Sequence, residues 1–169
     1  MDRIELTKGK FALVDAEDFE WLNQWKWHFV GKYSGAGRME REGEKKKRIL
    51  MHIAILGKYN KLKKELETDH INRNPLDNRK INLRVVTHQE NAMNRGMFKN
   101  NTSGYKGVCW DGSTTNKLKK WQARINLNGK FKNLGRFLTK EEAAIVYNQA
   151  VRENFGEVNY FNQIGGQIG

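Results

Sequence analysis

At 169 residues the chain has room for one or two small domains, each with only a modest core. Lys and Arg total 31 against 19 Asp and Glu, a formal charge of +12, and the lone Cys109 excludes an internal disulfide and any Cys-based zinc site. No apolar run approaches the roughly 20 residues that span a bilayer, and no signal-peptide apolar region stands at the start, so a soluble cytoplasmic protein without membrane contact is expected.

Residues 3–14 read as two short strands around a Lys8-Gly9-Lys10 turn, and Asp15 to Gln24 as a short helix with Phe19 and Leu22 three apart. Trp25, Trp27 and Phe29 alternate with polar residues, the pattern of a half-buried strand. Gly31 to Lys47 is rich in glycine and charge and reads as a mobile hairpin or loop. Gly35-Ala36-Gly37 lacks the strand–helix context and the Gly-Lys-Ser/Thr of a phosphate loop, so no nucleotide cofactor is expected. Ile49 to Tyr59 is a strand end running into a short helix. His52, within it, is expected to be packed and hydrogen-bonded, or else to support a nearby functional centre. Residues 72–80, with Pro75, Asp77 and Asn78, carry loop chemistry. Ile81, Leu83 and Val85 then alternate as a strand. Thr87 and Glu90 form a capping box, which puts Asn91 in the first turn of the next helix.

Within that stretch, Asp69-His70 is followed twelve residues after the histidine by Asn82, and nine later by Asn91. A carboxylate and an amide oxygen are hard donors suited to a cation such as Mg²⁺, and a neighbouring imidazole can take a proton from water near neutral pH. With Leu76-Asp77-Asn78-Arg79 and Asn82-Leu83-Arg84 between them in order, residues 69–94 resemble the core of an HNH endonuclease, in the variant whose last histidine is asparagine. The resemblance implies a ββα unit around one metal, with Asp69 and Asn91 as ligands and His70 as general base. Asn82 would tie down the loop and orient His70. It also implies 5′-phosphate and 3′-hydroxyl products. Asparagine in place of a second histidine favours Mg²⁺ or Mn²⁺ over zinc. Arg73, Arg79, Arg84 and Arg95 are candidates for phosphate contact.

Arg95 to Ser103 is polar, basic and aperiodic, a linker able to reach about 30 Å when extended. Beyond it, residues 103–110, 119–130 and 131–137 are three β-like segments, with a hairpin signal at Asn128-Gly129. A second capping box joins Thr139 to Glu142, with Leu138 placed to staple onto Ala143. Ala143, Tyr147, Ala150 and Val151 make one apolar helical stripe, and Gly156 is its stop. The words YKGV, W121-x-A-x-I, LGRF and EEAAIVYNQA, in order over roughly 102–162, resemble the plant Apetala/ethylene-response-factor DNA-binding domain. That family reads the major groove with its sheet face. Lys106, Trp121 and Asn126 match reading positions. Trp110, Arg124, Lys132 and Arg136 are candidates from charge and alternation, and Val108, Ile125, Leu134 and Phe137 are expected in the core. The plant pattern has arginine where Lys106, Cys109 and Asn126 stand, so its target sequence does not carry over.

The expected class is α+β: an N-terminal ββα-metal domain over 1–94, a linker at 95–102, a three-stranded antiparallel sheet on one helix over 103–162, and a disordered tail at 163–169. Residues 1–98 carry 20 Lys/Arg against 14 Asp/Glu, and 99–169 carry 11 against 5. A basic surface over both parts suits a polyanion, double-stranded DNA. The combination is similar to the mobile homing endonucleases of phages and bacteria, and implies a monomer acting in a bacterial or phage-infected cell. The alternatives are a DNA-binding regulator with a decayed HNH core, and an RNA-directed protein, for which a single-strand stacking motif is missing.

Overall fold

The computed structural model describes residues 2–31, 35–59, 66–113, 118–157 and 159–165. It is mixed α and β, with four α-helices and small antiparallel sheets among the described residues. The chain divides into two compact units, Met1–Asn91 and Ala92–Gly169.

In the first unit, β1 (Asp2–Leu6) and β2 (Lys10–Val14) form a hairpin registered Leu6↔Lys10 to Asp2↔Val14. A 3₁₀ turn over Thr7–Gly9 joins them, with Lys8 at φ 64. α1 (Ala16–Leu22) follows. The Trp25–Phe29 alternation is not one strand: β3 spans only His28–Gly31. Trp27 instead buries its ring and donates its indole N–H to the Leu22 carbonyl at 2.8 Å, which satisfies the polar end of a large apolar side chain.

Of the two readings of Gly31 to Lys47, hairpin or loop, the described residues form the hairpin, a regular ribbon. β4 (Gly35–Glu42) pairs with β3 on one side and with β5 (Lys45–Leu50) on the other. Residues 32–34 lie outside the described residues. Gly35 sits at φ +60, and a Cβ there would fall 1.9 Å from the Pro75 carbonyl oxygen, so only glycine lets β4 start against that loop.

α2 (Met51–Tyr59) follows β5 directly. β6 (Leu66–His70) and β7 (Leu83–Thr87) are antiparallel with His70 opposite Leu83, and α3 (His88–Asn94) continues from β7. Ile81, expected in a strand, is 82 % exposed in a 3₁₀ turn over Lys80–Asn82. Both Asn82 and Leu83 are turned inward there, which strand alternation would forbid. The core of this unit gathers Ile4, Val14, Leu22, Trp27, Met51, Ile55 and Leu83.

In the second unit β8 (Val108–Trp110), β9 (Trp121–Leu127) and β10 (Lys130–Phe137) form a sheet of order β10-β9-β8, with α4 (Lys140–Phe155) packed on it. Val108, Ala123, Ile125, Tyr147 and Val151 are buried between them, and Leu134 and Phe137 pack at the margin. Thr139 caps α4 by accepting from the Glu142 N–H, and Gly156 at φ 75 ends it. Leu138, expected as a staple, is instead 53 % exposed. Gly107 is obligatory: a Cβ at this position, φ +75, would lie 2.0 Å from the Tyr147 ring. Of the tail, Ile164 packs against the Val108 cluster, and residues 166–169 lie outside the described residues.

Candidate active site

The loop from Ile71 to Arg79 packs Leu76 against the core of the first unit and is otherwise held by polar bonds. Asn82 ties it twice: its Oδ1 accepts from the Asn72 N–H at 2.9 Å, and its Nδ2 donates to the Asp77 carbonyl at 2.7 Å. Asp77 is buried and accepts from Asn72 Nδ2 and, through both oxygens, from Arg79. The Arg79 hydrogen bond, ahead of its charge, holds the Asp77 carboxyl below the usual range. The loop is also stitched to β2: Leu13 donates to Leu76, Asn78 donates to Leu13, and Lys80 donates its N–H to Asp15 Oδ2.

This lacing presents His70, which is 8 % exposed at the end of β6. Its Nε2 is 3.3 Å from Asn78 Oδ1. The Asn78 amide nitrogen points to the Pro75 carbonyl, so the oxygen faces the ring. An amide oxygen only accepts; Nε2 therefore carries the proton, and Nδ1 is the basic nitrogen. The His52 ring lies edge-on against His70, with centroids 4.9 Å apart. His52 is packed as expected, but among the described residues its buried Nδ1 has no hydrogen-bond partner. Burial first, and then the neighbouring His70, push the His52 pKa down to about 4. Burial also lowers that of His70, against the opposing pull of Asn78, Asp69 and Asp77. Both rings are thus held neutral near pH 7.

Asp69 projects from the face of β6 opposite His70, and shares that face with Glu67. Arg84, directly across the ladder, donates from Nε and Nη2 to Asp69 Oδ2 at 3.0 and 2.8 Å. Asn91 reaches the same face from α3, donating Nδ2 to Glu67 Oε2 at 2.5 Å, while His88 Nδ1 stands 2.7 Å from Glu67 Oε1. A carboxylate only accepts, so the Asn91 amide is oriented with its NH₂ on Glu67 and its oxygen away from it. The Thr87–Glu90 capping box that starts α3 is present with bonds in both directions.

Glu67, Asp69 and Asn91 therefore make an oxygen-rich face, a donor set that fits a hard divalent cation. Among the described residues no three His, Cys, Asp or Glu side chains converge as a metal cage. One or two protein oxygens completed by water and phosphate is the way Mg²⁺ is commonly held. Sequence reasoning missed Glu67 and Asn78. Two-residue alternation back from Asp69 points to the first, and the Asn of LDNR to the second.

The other candidates are scattered. Arg73 is exposed at φ 61, while Arg79 and Arg84 are committed to Asp77 and Asp69. Arg95 is exposed, and its carbonyl, with those of Ala92 and Met93, accepts from Lys106 Nζ. Lys106 thus closes the carbonyl end of α3 rather than lying on the sheet face. In the second unit's sheet, Trp110 pairs with Trp121 on the side shared with Val108 and Ala123, and their rings meet edge-to-face at 5.0 Å. Both leave the strand on the helix-covered side rather than the open one, and Lys132, opposite Ile125, has the same parity at the exposed edge. The open side carries Arg124, Asn126 and Arg136, with Arg124 over Phe131 at 5.0 Å and Arg136 bound to Asp111.

A profile of the HNH endonuclease family matches residues 51–93, the stretch from the start of α2 to Met93. The chain is similar to an uncharacterized HNH endonuclease, L560, of Acanthamoeba polyphaga mimivirus, 30 % identical over 157 residues that cover 93 % of this chain and 77 % of that one. It is also similar to protein 3.8 of Escherichia phage T7, 33 % identical over 93 residues, 55 % of this chain and 73 % of that one. No solved structure matches. The family profile falls on the elements that carry Asp69, His70, Asn82 and Asn91, and the mimivirus protein aligns along nearly the whole chain: this protein belongs to the HNH endonuclease family and is a nuclease.

Proposed function

We propose that the protein is a site-specific DNA endonuclease of homing type, cutting duplex DNA with His70 as general base and Asp69 and Asn91 as ligands of a Mg²⁺ ion that Mn²⁺ can replace. The observation that carries this reading is the His70–Asn78 bond, which leaves Nδ1 of a neutral, sheltered imidazole as proton acceptor. Asp69 and His70 are consecutive, so they flank whatever lies across the end of β6. The cation, when bound, supplies positive charge for the scissile phosphate and the departing 3′ oxygen. Nδ1 of His70 takes the proton of the attacking water. Asn78 holds the ring through that proton transfer, and Asn82 holds the loop that carries Asn78. Glu67 keeps the Asn91 oxygen turned outward. Arg84 shares Asp69 and balances its charge. The products are 5′-phosphate and 3′-hydroxyl ends.

The second unit is proposed to be the DNA-targeting module over roughly 103–162, reached through residues 95–102, with Arg124, Asn126 and Arg136 on its open sheet side. A single centre in a monomer cuts one strand per encounter. Supercoiled plasmid incubated with and without Mg²⁺, followed by mapping of both strands on denaturing gels, tests the reading. Metal-dependent nicks with 5′-phosphate ends are expected. Tight, site-specific binding without cleavage under any divalent metal would make the protein a regulator instead.

A further inference from the structure

The cations marked by the motif are largely neutralised within the molecule: Arg79 by Asp77, Arg84 by Asp69, and Lys80 by Glu17 and Asp18. Among the described residues, a separate group of cations stands on the β4–β5 ribbon. Cross-strand partners share a face, and the register sorts the side chains sharply. One face holds Arg38 opposite Ile49 and Glu40 opposite Lys47. It is internally satisfied: Arg38 binds Glu40 at 2.8 Å and lies over the Trp25 ring at 4.5 Å. The other face holds Met39 opposite Arg48 and Arg41 opposite Lys46. Its three cations are exposed, and among the described residues none of them makes an ion pair.

Like charges directly opposite on a ladder are destabilising, so the Arg41–Lys46 pair is unfavourable for folding as it stands. A row of phosphates would remove that repulsion. Lys46 and Arg48 are two residues apart on one strand, about 7 Å, and a two-stranded ribbon fits the roughly 12 Å major groove of B-DNA.

We propose that the Met39–Arg41–Lys46–Arg48 face of the β4–β5 ribbon is a second duplex-DNA contact surface of this nuclease, gripping the phosphate backbone independently of the C-terminal sheet. The proposal rests on the DNA-nuclease reading. It assigns phosphate binding to residues outside the HNH motif, and it makes the ribbon part of the substrate interface.

Opposite faces of one strand give the test. In the full-length chain, Lys46→Ala/Arg48→Ala removes two charges from the proposed face, and Lys45→Ala/Lys47→Ala removes two from the other. Binding to a labelled mixed-sequence 30-base-pair duplex is followed by fluorescence anisotropy across a KCl series without divalent metal, so that no cutting occurs. Losing two phosphate contacts should flatten the log K against log salt slope by about 1.8 and weaken binding up to about 60-fold near 0.1 M salt. The Lys45/Lys47 variant should stay within about threefold of the parent. Relief of the Arg41–Lys46 repulsion means the first variant should melt no lower than the parent, which separates lost contact from lost folding. Equal losses in the two variants, or no loss with Lys46→Ala/Arg48→Ala, would overturn the proposal. So would the same contrast on an RNA hairpin without one on the duplex. Failure of the unmodified chain to bind the duplex at all would instead sink the DNA-nuclease reading.

Discussion

The loop around His70 and the sheet–helix body of the second unit are both buried, by opposite means. In the loop the inward groups are His70, Asp77, Asn78 and Asn82, each held by a named hydrogen bond. In the body they are Val108, Ala123, Ile125, Ala144, Tyr147 and Val151. Apolar packing tolerates replacement by apolar side chains of similar volume, whereas a buried polar network is weakened as a unit when one member goes. The difference teaches where precision is needed: the proposed base must be aimed, while the proposed targeting module need only be solid.

The sharpest break in this symmetry is His70→Ala. Cleavage should fall by roughly two to four orders of magnitude, the usual worth of a positioned base, while DNA affinity holds. Single-turnover cleavage at the parent rate would remove the role assigned to His70. Next comes a pair of volume-conserving swaps. Tyr147→Phe in the body should cost less than about 1.5 kcal/mol, but Tyr147→Ala about 3–5 kcal/mol. Asn78→Leu in the loop, although close in size, should cost about 1–3 kcal/mol by stranding the His70 N–H. Denaturant melts of all three check the ordering, and an Asn78→Leu chain as stable as the parent would dissolve the contrast.

Acid separates the two regions further. Folded His52 titrates near 4, against 6.5 for an unhindered imidazole, so between these values the unfolded chain binds a proton the folded one refuses. Stability should therefore be full above pH 6.5 and fall as the pH drops towards 4, by about 3 kcal/mol for this group alone. His70 acts in the same direction. The lowered Asp77 adds a further loss only below its ordinary carboxylate range. His52→Leu should flatten the upper part of that decline. An unchanged pH profile would mean that the His52 ring is not the source. The smallest effect concerns Glu67. Glu67→Ala frees the Asn91 amide to rotate and should weaken Mn²⁺ binding about 10–100-fold, the usual cost of losing a residue that orients a ligand. Electron paramagnetic resonance reads this without turnover, and an unaltered binding curve would show that Glu67 orients nothing.

The sequence was most legible where pattern and chemistry agreed. The capping boxes at Thr87 and Thr139, the Gly156 stop and the Tyr147 stripe follow from local rules, and the structure has them. Ile81 misled because its alternation with Leu83 suited a strand, while Asn82 had to turn inward to tie the loop. The β4–β5 segment could be read only as hairpin or loop, because its strands are held by ladder bonds and not by an apolar alternation, while Gly35 and a run of lysines also suit a loop. A groove-reading role for Trp121 comes from its match to the resembled family and for Trp110 from alternation, yet register gives both the parity of Val108 and Ala123. Asp69, His70, Asn82 and Asn91 could be proposed from their order and the HNH resemblance, but the hydrogen bonds of Asn78 to His70 and of Glu67 to Asn91 depend on tertiary closure.

The stitching of β2 to the loop around His70 has a kinetic side. Asp15 accepts from Lys80 across 65 residues, and closing a chain segment of that length costs about 4 kcal/mol of entropy before any bond repays it. The N-terminal hairpin leaves the ribosome long before the loop it must hold. On the proposed mechanism, a nascent or partly folded chain has an unaimed His70 until its first strands and its motif have met. Weakening this seam, for example with Asp15→Ala, should slow the recovery of activity after dilution from denaturant more than it changes the activity finally recovered.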